Sequence, residues 1–134
     1  MIVDASAVLD VLLRTERAEA VERHLLQGAT VQAPAIIDVE VARVLRRVTL
    51  AGGLGDAAAE RALAVHARLV PTVHPTRALL GRAWGMRHAI TVSDGLYVAL
   101  AEATGAPLLT TDDRLARAAV ATTAVQLVEV PRAR

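Results

Sequence analysis

Met1-Ile2-Val3-Asp4-Ala5-Ser6-Ala7-Val8-Leu9 decides the architecture of this chain. Its first apolar residues read as a short buried strand. An acid and a serine follow where that strand should end, and Val8, Leu9 and Leu12 then recur at helical spacing over Ser6 to Leu13. The same order returns near the other end, where Pro107 to Thr110 reads as a strand, Asp112 stands after it, and a helix runs to Ala119. Between them the pattern predicts a helix near Ala18 to Leu26, a strand over Thr30-Val31-Gln32-Ala33, and a helix entered through Pro34 and stopped near Leu50 by Gly52-Gly53. Ala57 to Leu69 is helical, Thr72-Val73-His74 a short strand, and Thr76 to Arg87 a helix. Ser93 suits the N-cap of a helix running to Thr104, Gly105 ends it, and Val125 to Val130 forms a final strand. Strands alternating with helices predict an α/β fold in one domain, residues 1–134, with a central parallel sheet of about five short strands and helices on its faces. In such sheets ligands bind beyond the carboxyl ends of the strands, and Asp4 and Asp112 are both placed there.

Composition narrows the chemistry. Apolar residues make up 54% of the 134, enough for a packed core, and with no Phe, one Trp and one Tyr that core must be aliphatic. All 15 basic residues are Arg, so every mechanism that depends on a lysine is excluded. The absence of cysteine excludes disulfides, thiolate metal sites and thiol catalysis. A net charge of +1 leaves nucleic-acid binding to a local Arg patch. Met1-Ile2-Val3-Asp4 lacks the features of a signal peptide, and no apolar run reaches the roughly 18 residues of a membrane span, so a cytoplasmic location is expected.

Four carboxylates sit where a charge is costly: Asp4, Glu40, Asp94 and Asp112. Each also has a plain structural reading. Asp4 and Asp112 suit the N-caps of the helices that follow them. Asp94 suits a helix first turn, yet it shares a face with Tyr97, Val98 and Ala101. Glu40 stands between the apolar side of its helix (Ile37, Val44, Val48) and Arg43 and Arg47, and could pair with Arg43. If the four converge, a divalent metal with oxygen ligands is the simplest compensation, and phosphodiester chemistry the natural use. Asp113 is a weaker alternative to Asp112, being further from the strand end. Asp38 is read as a first-turn charge, and Asp10 as exposed.

Other candidates carry less. His24, His66, His74 and His88 lack zinc-ligand spacing and read as surface or half-buried side chains. No GxSxG surrounds Ser6, and no strand precedes Gly52-Gly53 to make a phosphate cradle. Arg43, Arg46 and Arg47 form either a solvated helix face or a phosphate-gripping patch beside Glu40.

Together, Met1-Ile2-Val3-Asp4-Ala5-Ser6-Ala7, Ala33-Pro34 with Glu40-Val41, Asp94 to Glu102, and Pro107 to Asp112 resemble PIN-domain ribonucleases, and more narrowly the VapC toxins of type II toxin–antitoxin pairs. The resemblance covers essentially the whole chain. It implies a PIN-like three-layer sandwich, an acidic pocket holding Mg2+ or Mn2+, and endonucleolytic cleavage of RNA. Asp4, Glu40, Asp94 and Asp112 match the family's pocket acids, with Asp4 and Asp94 matching those most often assigned to the metal; Ser6 matches the small hydroxyl residue of the first motif. Arg43, Arg47 and Arg87 would then position the RNA backbone. The resemblance further implies a VapB-like antitoxin covering the pocket, with an Arg entering it, and a homodimer. Two positions depart from the pattern: Gly95 replaces a common Ala at some cost in helix stability, and Asp113 replaces a frequent basic residue. Two other readings compete. A non-catalytic PIN-fold module binding RNA or protein need not bind magnesium at the rim. A phosphatase with an aspartate nucleophile would want a second Asp where Ser6 stands and a lysine, which this chain lacks; a phosphate-accepting receiver domain fails for the same missing lysine.

Overall fold

The computed structural model describes residues 1–27 and 30–130. Its strands are β1 (Ile2–Val3), β2 (Gln32–Pro34), β3 (Thr72–His74), β4 (Leu108–Leu109) and β5 (Leu127–Val128). They form one parallel sheet in the order β3-β2-β1-β4-β5. The helices are α1 (Ala5–Leu12), α2 (Ala18–Leu25), α3 (Ile36–Leu50), α4 (Asp56–Leu69), α5 (Thr76–Gly85), α6 (Val92–Thr104) and α7 (Asp113–Thr122). In β1, Ile2 pairs with Gln32 on one side and Leu108 on the other, and Val3 pairs with Leu109. Strands flanked on both sides and covered on both faces should be continuously apolar, and Ile2, Val3, Leu108 and Leu109 are fully buried.

The strand order sets the location of the site. From β1 the chain steps outward to β2 and β3, then crosses back to β4 and steps the other way to β5. Right-handed crossovers require the helices of these two runs to lie on opposite faces. The packing divides accordingly: α1 touches α2, α3 and α4, whereas α5 packs on α6, and α6 lies against β1, β2 and β4. The reversal falls between β1 and β4, and the carboxyl ends of strands at such a reversal bound a crevice.

Most predicted elements stand within a residue or two. Pro34 differs: it closes β2 instead of opening α3. Pro34 has no N–H to give to the ladder, and the next donor along the chain, Ala35 N–H, bonds His74 O at 2.8 Å. The N-cap of α6 is Thr91, not Ser93; its hydroxyl accepts from Asp94 N–H at 3.2 Å, so the helix starts one residue before Ser93. Gly105 closes α6 in the left-handed region, at φ 68°.

Gly95 has a packing role that the sequence reading did not foresee. A Cβ there would lie 3.2 Å from both Cα and Cβ of Ala83, so its absence lets α5 close onto α6. Gly95→Ala gains about 1 kcal/mol of helix propensity and incurs about 1–3 kcal/mol of overpacking against backbone. Net loss of stability is expected in thermal denaturation; an unchanged or raised midpoint would mean that α5 yields easily.

Candidate active site

β1 ends at Val3, and the next side chain is that of Asp4, 5% exposed. Asp4 is the N-cap of α1, its Oδ1 accepting from Ala7 N–H at 3.3 Å. Oδ1 also accepts from Ser6 Oγ at 2.6 Å, and Oδ2 from Thr110 Oγ1 at 2.9 Å. Thr110 in turn accepts from Asp112 N–H at 3.0 Å, so one hydroxyl joins the ends of β1 and β4. Burial is the largest influence on Asp4 and pushes its carboxyl from 3.8 up to about 6; the bonds from Ser6, Thr110 and Ala7 pull it down, and the charge of nearby Asp112 adds to the rise.

Asp112 is the N-cap of α7, accepting on Oδ1 from Arg114 N–H at 2.9 Å and Leu115 N–H at 3.3 Å. Asp94, in the first turn of α6, reaches toward it: Arg114 Nη2 lies 3.0 Å from Asp94 Oδ2 and 3.6 Å from Asp112 Oδ2. Glu40 is half-buried, and its Oε1 accepts from Tyr97 OH at 2.5 Å instead of pairing with Arg43. Tyr97 is 1% exposed and feels the charge of Asp4 as well as that of Glu40. Burial, chiefly, and then the bond to Glu40 hold its phenol protonated, well above the usual tyrosine range.

The acids therefore form an arc: Glu40 through Tyr97 to Asp4, through Thr110 to Asp112, and through Arg114 to Asp94. Among the described residues no three His, Asp or Glu side chains are gathered tightly enough to hold a metal as they stand. The arc is open, with Tyr97 turned onto Glu40 and Arg114 set between Asp112 and Asp94. Its donors are all carboxylate oxygens, repelling one another around a buried carboxylate with a raised pKa, which is the donor set a hard divalent cation prefers.

Tyr97, Thr110 and Arg114 were not singled out from the sequence. Asp94 and Tyr97 are three residues apart on α6, and that shared face was the one available signal for Tyr97. Asp10, expected exposed, is half-buried; Thr111 Oγ1 donates to its Oδ2 at 2.5 Å and also lies 3.1 Å from Ser6 Oγ. His66, expected at the surface or half-buried, is buried because α4 lays it on α3. There its Nε2 meets Asp38 Oδ1 at 2.7 Å, and its Nδ1 is buried without a partner. Arg43 and Arg47 are exposed on α3. Arg87 lies over the Trp84 ring, 4.8 Å from its centre, and donates to Trp84 O, so its guanidinium is engaged away from the acids.

Known proteins resemble this chain in sequence and in fold. Residues 1–121 match the PIN domain family. The chain is 44% identical over 119 residues to ribonuclease VapC3 of Mycobacterium tuberculosis, covering 88% of this chain and 86% of that protein. It is 40% identical over 118 residues to ribonuclease VapC1 of the same organism, with 87% and 89% covered. The crystal structure of PAE2754 from Pyrobaculum aerophilum superposes with a TM-score of 0.67 at 22% identity, over 94% of this chain and 86% of that one, a likeness of fold. This chain belongs to the PIN-domain family, in its VapC branch.

A carboxyl raised by folding favours the folded state while protonated. Its contribution is complete below its ordinary value and is lost as pH rises through about 6. Metal-free Asp4→Asn is therefore expected to be more stable than the parent near neutral pH, by up to about 3 kcal/mol, with the difference shrinking toward about pH 4. Urea denaturation across pH, in chelator, measures it; a pH-independent difference would count against a raised Asp4. Tyr97→Phe removes the donor to Glu40 without opening a cavity and is expected to cost about 1 kcal/mol in the same assay.

Proposed function

We propose that this chain is a metal-dependent endoribonuclease acting as the toxin of a type II toxin–antitoxin pair. The observation that carries the reading is the arc of Asp4, Glu40, Asp94 and Asp112 at the β1/β4 reversal of a PIN fold, anchored on a buried carboxylate. The relatives' names supply the substrate class, RNA.

Asp4, Asp94, Asp112 and Glu40 would hold Mg2+ or Mn2+. When bound, the ion supplies charge neutralisation of the scissile phosphate and a lowered pKa for a bound water. The remaining work falls to this chain's own side chains. Ser6 and Thr110 fix both oxygens of Asp4, and Tyr97 fixes Oε1 of Glu40, leaving the other oxygen to serve as a further ligand or to orient the attacking water. Arg43 and Arg47, exposed on the same helix as Glu40, face the phosphate backbone without reading its sequence, and Arg87 is a more distant contact at the α5–α6 turn. An aspartyl-phosphate mechanism finds less support, because the chain has no lysine and carries Ser6 where a second Asp would be wanted.

A VapB-like antitoxin is the inhibitory partner in this reading, and the working form is a homodimer. Leu80 and Trp84 on α5, with Trp84 58% exposed, and Val39, Leu50 and Leu63 on α3 and α4 provide apolar surface for such contacts. Among the described residues no helix is long and apolar enough to cross a membrane.

Total RNA incubated with the purified, antitoxin-free protein tests the reading. Discrete fragments are expected with magnesium or manganese and none in excess chelator. Asp94→Asn should lower the rate by at least about a hundredfold while leaving the circular dichroism spectrum unchanged. Cleavage that survives both chelator and Asp94→Asn would reject it. A folded protein that neither cuts nor binds metal would be a binding module.

A further inference from the structure

We propose that Arg114 is a built-in counter-ion that competes with the divalent metal for Asp94 and Asp112; the proposal rests on the metal site argued above. A single nitrogen, Nη2, lies 3.0 Å from Asp94 Oδ2 and 3.6 Å from Asp112 Oδ2. It occupies the gap that a shared cation would fill, between carboxylates carried by two different helices. A guanidinium held there and a divalent ion on the same two oxygens repel each other, so one excludes the other.

Helix electrostatics gives no other reason for a cation at this position. Arg114 is in the first turn of α7, where the exposed N–H groups make positive charge unfavourable. The compensation comes from the two acids. The side chain is also free to leave, being 64% exposed, and an ion pair of that kind contributes at most about 1 kcal/mol. Arg114 thus neutralises the arc when metal is scarce and gives way when metal arrives. The consequence is a metal affinity lower than the same four acids would have alone. A purely structural clip between the starts of α6 and α7 would instead contribute to stability and leave metal affinity unchanged.

Calorimetric titration of Mn2+ into the chelator-stripped chain, without RNA, separates the two. Arg114→Gln is expected to bind Mn2+ about fivefold more tightly than the parent. Arg114→Lys, which restores the charge, is expected to return most of the way to the parent value. In an Asp94→Asn background, where the site itself is weakened, the gain should vanish. Equal or weaker binding by Arg114→Gln, with Asp94→Asn still abolishing the signal, overturns the proposal and leaves the metal site standing. So does an Arg114→Lys variant that binds as tightly as Arg114→Gln. If Mn2+ binds neither the parent nor Arg114→Gln, or binds both regardless of Asp94→Asn, the metal site falls and the proposal falls with it.

Discussion

The Asp4 carboxylate is the knot that ties strand β1, helix α1 and strand β4 together. Its two oxygens take bonds from Ser6 and Ala7 in the first turn of α1 and from Thr110 just beyond β4. Desolvating a carboxylate this fully is unfavourable, and three donors offset only part of the cost, as the rise of its pKa to about 6 records. A group kept at such expense makes sense if the fold serves something other than its own stability. Because Thr110 also accepts from Asp112 N–H, the placement of Asp112 follows from that of Asp4.

Capping leaves each capping acid at this rim an oxygen for a second partner. Asp4 and Asp112 each cap a helix with Oδ1 and leave Oδ2 to another partner, Thr110 beyond β4 for one and Arg114 in the first turn of the same helix for the other. A carboxylate has enough lone pairs to do both. The helix starts are thereby aimed at the crevice, and their positive ends help to offset the acids gathered there. Glu40 caps nothing: it is brought in from mid-α3 and steadied by a buried phenol on α6, so the two faces of the sheet meet across the β1 end.

The sheet was legible in the sequence, since buried parallel strands read as apolar runs, and Asp4 and Asp112 stand out at the ends of two of them; Asp94 and Glu40 showed only as acids beside apolar helix faces. The side chains that organise those acids were not. Thr110 read as one more strand residue and Tyr97 as part of a buried face, and Arg114 was not singled out at all; each gains its meaning from a partner 20 or more residues away. Smaller misreadings had local causes. Ser93 is by residue type the better cap, and only the backbone decides for Thr91. Pro34 has a fixed φ that serves a strand end as well as a helix start. His66 was placed at or near the surface because nothing in the sequence indicated that α4 would lay it on Asp38.

The pairing of β1 with β4 has a bearing on how the chain comes to life. Asp4 waits for Thr110, 106 residues later, and until then β1 has only β2 to pair with. Contacts so distant along the chain form late and slowly. On the ribosome, Asp4 is made well before Thr110 and is among the last of the acids to find its surroundings. A polypeptide stalled or truncated before β4 would carry the opening motif and the Glu40 helix intact, yet would have no crevice between them. The acidic rim is in this sense a checkpoint on completed synthesis, written into the order of the strands.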